Sequence, residues 1–263
     1  MSNKSSINAV SIILSGLLLL GSVLLSSQPV YADGHEEKIK VVLVAGATGG
    51  TGREVVKDLL ANGYEVRAFV RNAETAREKL GDDVEYIEGD VRDRASIDAA
   101  LPGVDAIISA IGAGRGNPDN GPEFVDYGGV KNLAEAAAGT NIKQLVLVSS
   151  MGVTHEDHFL NKMFDNVLIW KLKGEDALRA SGVPYTVVRP GGLVNKAGGE
   201  KVVVFAQGDE DGGAIPRADV ARVCVAALGS EAAMDKTFEI NSGKGPAQTD
   251  FESDFSALAA DAN

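Results

Sequence analysis

The chain has 263 residues, 44% of them hydrophobic and 24% charged, which excludes collagenous, low-complexity and wholly disordered classes. A net charge of −12 with no basic stripe argues against a nucleic-acid partner. The single cysteine, Cys224, rules out an internal disulfide and a cysteine-based zinc site, and three histidines without an HExxH pattern give no basis for a metal site.

Residues 1–32 carry one charge, Lys4, then an apolar run from Ile12 to Leu25 and a Val30-Tyr31-Ala32 end. A basic start, an apolar middle and an A-x-A-like end describe a secretory signal peptide, and the run is short of the ~20 apolar residues of a membrane span. The expectation is export to a periplasm or equivalent lumen, a mature chain from about Asp33 and no membrane insertion after cleavage. An uncleaved N-terminal anchor is the alternative.

From residue 40 the pattern alternates. Val41-Val42-Leu43-Val44-Ala45 is a continuous apolar run, as expected of a strand buried on both faces. Strand-like runs recur at 65–70, 84–87, 106–110, 144–149, 185–189 and 237–240, with helical stretches at 52–62, 73–80, 95–101, 123–138, 166–180 and 217–228. Strands alternating with helices imply right-handed crossovers and a parallel sheet covered on both faces. The predicted fold is therefore α/β, a doubly wound Rossmann domain over 40–242, with 33–39 a short leading segment. No long insertion follows Leu193, so the C-terminal substrate region is minimal. Residues 243–263 read as a tail with Phe251, Phe255 and Leu258 at helical spacing, docked as a short helix with a frayed end.

The first strand runs into Gly46-Ala47-Thr48-Gly49-Gly50-Thr51-Gly52. Glycines at 46, 49 and 52 between a strand and a helix make the GxxGxxG pattern of a dinucleotide site. Gly46 allows the tight exit, Gly49 the close approach of a pyrophosphate, and Gly52 the packing of the helix whose N–H groups face the anion. Thr48, Gly50 and Thr51 complete the candidate loop, and no Gly-Lys-Ser/Thr follows to make a Walker loop. At the end of the second strand Arg71 stands where an NAD enzyme places an acid for the ribose 2′-OH. A guanidinium there pairs with a 2′-phosphate, which favours NADP(H); a solvated strand-end arginine is the bland alternative.

These motifs, with Gly89-Asp90-Val91, Ser149-Ser150-Met151-Gly152, 126–132, 185–193 and 215–221, resemble the atypical short-chain dehydrogenase/reductases. The similarity is greatest to the NAD(P)H-binding branch that contains NmrA-like proteins, flavin/biliverdin reductases and plant NADPH-binding relatives. The resemblance implies that Asp90 and Val91 meet the adenine, and that Ala110, Ile111 and Gly112 line the nicotinamide ribose. It gives Asp126 and Asn132 a role in holding the fold. Active members of the superfamily use a serine after the fifth strand and Tyr-x-x-x-Lys on the next helix. Lys171 aligns best with that lysine, which puts Val167 at the tyrosine position; Lys173 as the match would put Ile169 there. Ser149 or Ser150 is left as a hydrogen-bond donor and Lys171 as a ribose clamp. Trp170, His155 and His158 are weaker candidates for the substrate border, Tyr127 and Tyr185 are expected to be buried, and Cys224 to be a small core residue.

Three functions fit. The first is an NADPH-dependent oxidoreductase passing a hydride to a small acceptor such as a quinone or flavin. The second is a non-catalytic NADP(H)-binding protein that senses redox state or docks a partner. A sugar-nucleotide epimerase or dehydratase ranks below both, for want of a substrate lobe. A monomer or weak homodimer is expected.

Overall fold

Val41–Ala45 (β1) opens the computed structural model, which describes residues 38–114, 118–210 and 212–262. Residues 1–37, and with them the signal-peptide expectation, lie outside the described residues. There follow Gly50–Ala61 (α1), Glu65–Val70 (β2), Ala73–Leu80 (α2), Glu85–Glu88 (β3), Arg94–Ala100 (α3) and Ala106–Ser109 (β4). A π-helical turn, Glu123–Gly129, runs directly into Val130–Ala138 (α4). Then come Gln144–Val148 (β5), Phe159–Met163 (α5), Val167–Arg179 (α6), Tyr185–Pro190 (β6), Gly192–Val194 (β7) and Val203–Ala206 (β8). Ala214–Pro216 (β9), Arg217–Ala226 (α7), Lys236–Ser242 (β10) and Glu252–Ala257 (α8) complete the chain.

The main sheet has the order β3-β2-β1-β4-β5-β6-β10-β8. Every pairing is parallel except β10 with β8, which is antiparallel at the edge. This is the doubly wound Rossmann order, so the expected fold class holds, with one antiparallel strand that the sequence pattern did not reveal. Alternation along the central strands builds two cores. Val42 and Val44 of β1 pack with Val55 and Leu59 of α1 and Val220 and Cys224 of α7. Leu43 and Ala45 face the opposite layer, with Ile97 of α3, Leu133 of α4 and Leu178 of α6. All of these are fully or almost fully buried, each worth about 1.5–3 kcal/mol of transfer free energy for a large side chain.

Residues 243–262 include the short helix α8. Phe251 and Phe255 join Phe205 of β8 and Phe238 of β10 in an aromatic cluster with centroids 5.4–6.3 Å apart. Beyond α8, Asp261 accepts hydrogen bonds from Thr237 N (3.0 Å), Thr237 Oγ1 (2.6 Å) and Tyr185 Oη (2.8 Å). Three donors from two strands thus hold Asp261 in a stretch that composition alone marks as loose. Tyr185 is buried as expected, whereas Tyr127 is half-buried and stacks on Trp170 at 6.0 Å.

Strand order reverses between β1 and β4. Beyond the carboxyl ends of the strands at such a point lies the crevice where α/β proteins bind ligands. Among the described residues, no helix is long and apolar enough to cross a membrane.

Candidate active site

Gly46 leaves β1 at φ +80°, a left-handed conformation that disfavours any side chain, and a Cβ there would lie 2.6 Å from Ala110 O. A Cβ on Gly52 would lie 2.1 Å from Gly46 O, so only glycine lets α1 approach the end of β1 this closely. Gly49 donates to Gly46 O (3.0 Å) and starts α1 without any side-chain cap, and no acid occupies the first turn. The first N–H groups of α1 are therefore free to meet an anion.

A cleft of about 210 Å³ opens over this turn. It gathers Gly46, Thr48, Gly49, Arg71, Asp90, Val91, Ala110, Ile111 and Gly112, nine of the expected cofactor residues drawn from four strand ends. Gly50, Thr51 and Gly52 do not line it: Thr51 is buried and Gly52 serves the helix packing. Arg71 is exposed and makes no hydrogen bond or ion pair among the described residues. Its neighbour Asn72 caps α2 by accepting from Thr75 N (2.8 Å). Asp90 is held by Arg92, whose Nε and Nη2 reach its two oxygens at 2.9 and 2.6 Å. That pairing keeps its carboxyl below the usual carboxylate range, so an adenine amino group would share an acceptor already in use. Arg92 was not legible as part of the site. Asn132 Nδ2 donates to Val91 O (2.9 Å) and holds the loop, as the resemblance implies.

Gly114 borders both this cleft and a second cavity of about 570 Å³, lined also by Ser150, Val167 and Lys171. Lys171 Nζ lies 2.8 Å from Asp126 Oδ1, and Ala113 N donates to Asp126 Oδ2 (2.9 Å). The buried Asp126 thus ties α6 to the loop after β4. The π-helical turn presents Asp126, and a Cβ on Gly174 would lie 2.4 Å from its carbonyl oxygen, so α6 packs against that turn only through a glycine. Val167, the first residue of α6, lines the same cavity as Lys171.

The two serines part company. Ser149 is buried, and its hydroxyl donates to Glu175 Oε1 inside a network with Arg189 and Arg179; it lines none of the cavities described here. Ser150 lines the cleft, its hydroxyl donating to Met151 O (2.9 Å). Of the pair, the structure brings only Ser150 together with Lys171.

A third cavity of about 870 Å³ shares Ser150, Leu160 and Phe164 with the second, and holds His155, His158, Asp209 and Arg217. His155 Nε2 lies 2.8 Å from Asp209 O, and Asp209 accepts from Gly152 N and Thr154 N. His158 Nδ1 accepts from Leu160 N (3.2 Å). Asn161, nearly fully buried, accepts from Leu168 N and donates to Glu156 O, which fastens α5 to α6. Phe159 and Met163, 60% and 64% exposed, form an apolar rim. Trp170 lines none of these cavities; Lys173 Nζ sits 4.0 Å over its ring.

The profile of the NAD(P)H-binding family matches residues 46–231. The chain belongs to this family. Sanguinarine reductase of Eschscholzia californica is 39% identical over 261 residues, covering 82% of this chain and 95% of the relative. An uncharacterised chloroplastic protein of Arabidopsis thaliana is 40% identical over 244 residues, covering 82% of this chain and 75% of its own. Among solved structures, an anaerobillin reductase from Escherichia coli O157:H7 superposes with a TM-score of 0.66 at 26% identity, covering 77% of this chain and 97% of that one. For an NAD(P)H-binding protein the donor set fits. The glycine turn leaves a cradle that a Cβ would fill, α1 begins with uncapped N–H groups, and Arg71, in no ion pair among the described residues, stands at the end of β2.

Proposed function

We propose that the chain is an NADPH-dependent reductase that passes a hydride to a small planar acceptor such as a quinone or flavin. The observation that carries the reading is a cleft holding Arg71 and the glycine turn, which shares Gly114 with a cavity lined by Ser150, Val167 and Lys171. Gly46, Gly49 and the start of α1 would hold the pyrophosphate, Asp90 and Val91 the adenine, and Ala110, Ile111 and Gly112 the nicotinamide ribose. Arg71, which forms no ion pair among the described residues, would take the 2′-phosphate. Bound NADPH supplies the hydride. Lys171, steadied by Asp126, would position the ribose, and the Ser150 hydroxyl, which donates to Met151 O, would turn to donate to an acceptor oxygen. Val167 has no proton to give, so the proton that completes reduction comes from water at the open mouth. Catalysis then rests on proximity and orientation. Names among the relatives support a reductase: one acts on sanguinarine, one on anaerobillin.

The test is calorimetric titration of the full-length chain with NADPH and NADH, followed by acceptor-dependent NADPH oxidation. NADPH should bind at least tenfold more tightly, and Arg71→Gln should erase the difference, since a charge-assisted pair is worth about 1.5–3 kcal/mol. Equal binding of the two cofactors by the parent would remove the 2′-phosphate assignment. The valine at 167 favours one second reading, a non-catalytic NADP(H)-binding protein. Tight NADPH binding without turnover on any quinone or flavin would select it. We place a targeting presequence before residue 38, in keeping with the chloroplastic relative; the lumen it addresses, cleavage near Asp33 and a monomeric or weakly dimeric state belong to the same proposal.

A further inference from the structure

Arg217 opens α7, yet its side chain reaches back over the start of α1. A Cβ built on Gly50 would lie 2.7 Å from Arg217 Nε, 2.9 Å from Cδ and 3.5 Å from Cζ. The guanidinium therefore fills the volume that a side chain at position 50 would take. Its one hydrogen bond among the described residues is from Nη1 to Asn195 Oδ1 (2.7 Å), which orients it and leaves its other N–H groups unused. In a chain of net charge −12, arginines normally find acids: Arg92, Arg94, Arg179, Arg189 and Arg222 each sit on a carboxylate. Arg71, in the cleft over the glycine turn, and Arg217, at the edge of the third cavity, form no ion pair among the described residues.

We propose that Arg217 is a clamp for the diphosphate of the dinucleotide, and that glycine at position 50 makes room for it. The inference rests on the NAD(P)H-binding reading and adds a residue to it. The uncapped amides of α1 offer the diphosphate only partial positive charge, and the acidic surface opposes its approach. A guanidinium beside the same helix end supplies a full charge with paired donors for two phosphate oxygens. The diphosphate is common to both cofactors, so Arg217 governs affinity without choosing between them, whereas Arg71 chooses. The sequence hid this division of labour, because residues 50 and 217 are joined only by the packing of α1 on α7.

The full-length chain and its Arg217→Gln variant are titrated with NADPH and with NADH, with inorganic pyrophosphate as competitor. The variant should lose at least tenfold affinity for both cofactors by the same factor, about 1.4 kcal/mol. Pyrophosphate should compete less well, the salt dependence of binding should flatten, and Arg217→Lys should recover part of the loss. A residue that only braces α7 against α1 would lower the melting temperature and leave the salt dependence unchanged. Parent-like affinity in Arg217→Gln overturns the clamp, as does a loss confined to NADPH, which would put Arg217 at the 2′-phosphate. If that variant does not fold, Asn195→Ala, which frees the guanidinium from its anchor, decides: a common loss of threefold or more supports the clamp, and none overturns it. A parent that binds neither nucleotide overturns the NAD(P)H reading itself, and the clamp with it.

Discussion

Replacing Glu175 by glutamine tests whether the serine pair is divided as the structure divides it. Glu175 is fully buried, and its carboxylate serves four donors. Arg189 Nε and Nη2 donate at 3.1 and 2.7 Å, Arg179 Nη2 at 2.8 Å, and the Ser149 hydroxyl donates to Oε1. An amide at this place keeps the volume but removes the charge, and it turns an N–H₂ group toward guanidinium N–H groups. Arg189, nearly fully buried, is left with Glu239 alone, its Nη1 donating at 3.1 Å. Breaking a buried pair in this way costs about 3–5 kcal/mol. At roughly 2–4 °C per kcal/mol for a domain of this size, the melting temperature should fall by roughly 6–20 °C. Urea titration should show a lower midpoint with an unchanged slope. Cofactor affinity at 25 °C should stay within twofold, because Glu175 lines no part of the cleft. A fall of less than about 3 °C would refute the reasoning, since the network would then carry little and Ser149 would not be held by it. Ser149→Ala completes the argument: it should cost about 1–3 kcal/mol and leave turnover intact. Lost turnover at an unchanged melting temperature would return Ser149 to the catalytic set.

Two further outcomes follow from buried titratable groups. Burial pushes the Cys224 thiol up to about 12, with Asp58 adding to the effect, so native protein at pH 8 should resist a thiol reagent such as dithionitrobenzoate and react at once in urea; rapid native labelling would contradict the packing of α7 against α1. Burial disfavours the charge on Asp261, but Thr237 and Tyr185 donate to it and hold its carboxyl below the usual carboxylate range. A depressed carboxyl contributes stability that is full above about pH 4 and is lost as pH falls through its folded value. Asp261→Asn should therefore be about 1–3 kcal/mol less stable than the parent at pH 7, and the gap should narrow at pH 3; a gap independent of pH would show that the charge is irrelevant.

The parts of the site that lie within one βαβ unit were legible. Gly46, Gly49 and Gly52 sit between an apolar run and a helix, and Arg71 falls at a strand end that the period locates, so local spacing carried the information. What depended on distant packing was not legible. Ser149 and Ser150 are neighbours in sequence, and only the burial of Glu175 on α6 and Arg189 on β6 decides which one turns inward. Arg92 over Asp90 and Arg217 over Gly50 are likewise contacts between side chains that no period predicts. The edge strand β8 pairs antiparallel with β10 through only four residues, too few to stand out from the irregular stretch around it. Asp261 belongs to a stretch that composition marks as loose, and three donors from folded strands overrule composition.

The inert residue at position 167 constrains the chemistry more than any group that is present. Lys171 lines the cavity, but Asp126 lies 2.8 Å from its ammonium, so the pair would add little net charge where an oxyanion would form. Ser150 can donate one hydrogen bond and supplies no proton at neutral pH. A ketone reduced here would have to form a localised, strongly basic alkoxide with no side-chain acid to protonate it as it forms. A quinone or flavin spreads the incoming electron pair over a conjugated ring and takes its proton from water afterwards, so it needs a flat wall and a fixed distance instead of an acid. The cleft offers that wall: its outer cavities are bounded by Val167, Leu160, Phe164 and the exposed faces of Phe159 and Met163. On this account the same substitution that ends ordinary carbonyl reduction leaves hydride transfer to conjugated acceptors open, and the cofactor-binding half of the cleft can be retained whole while the acceptor half changes.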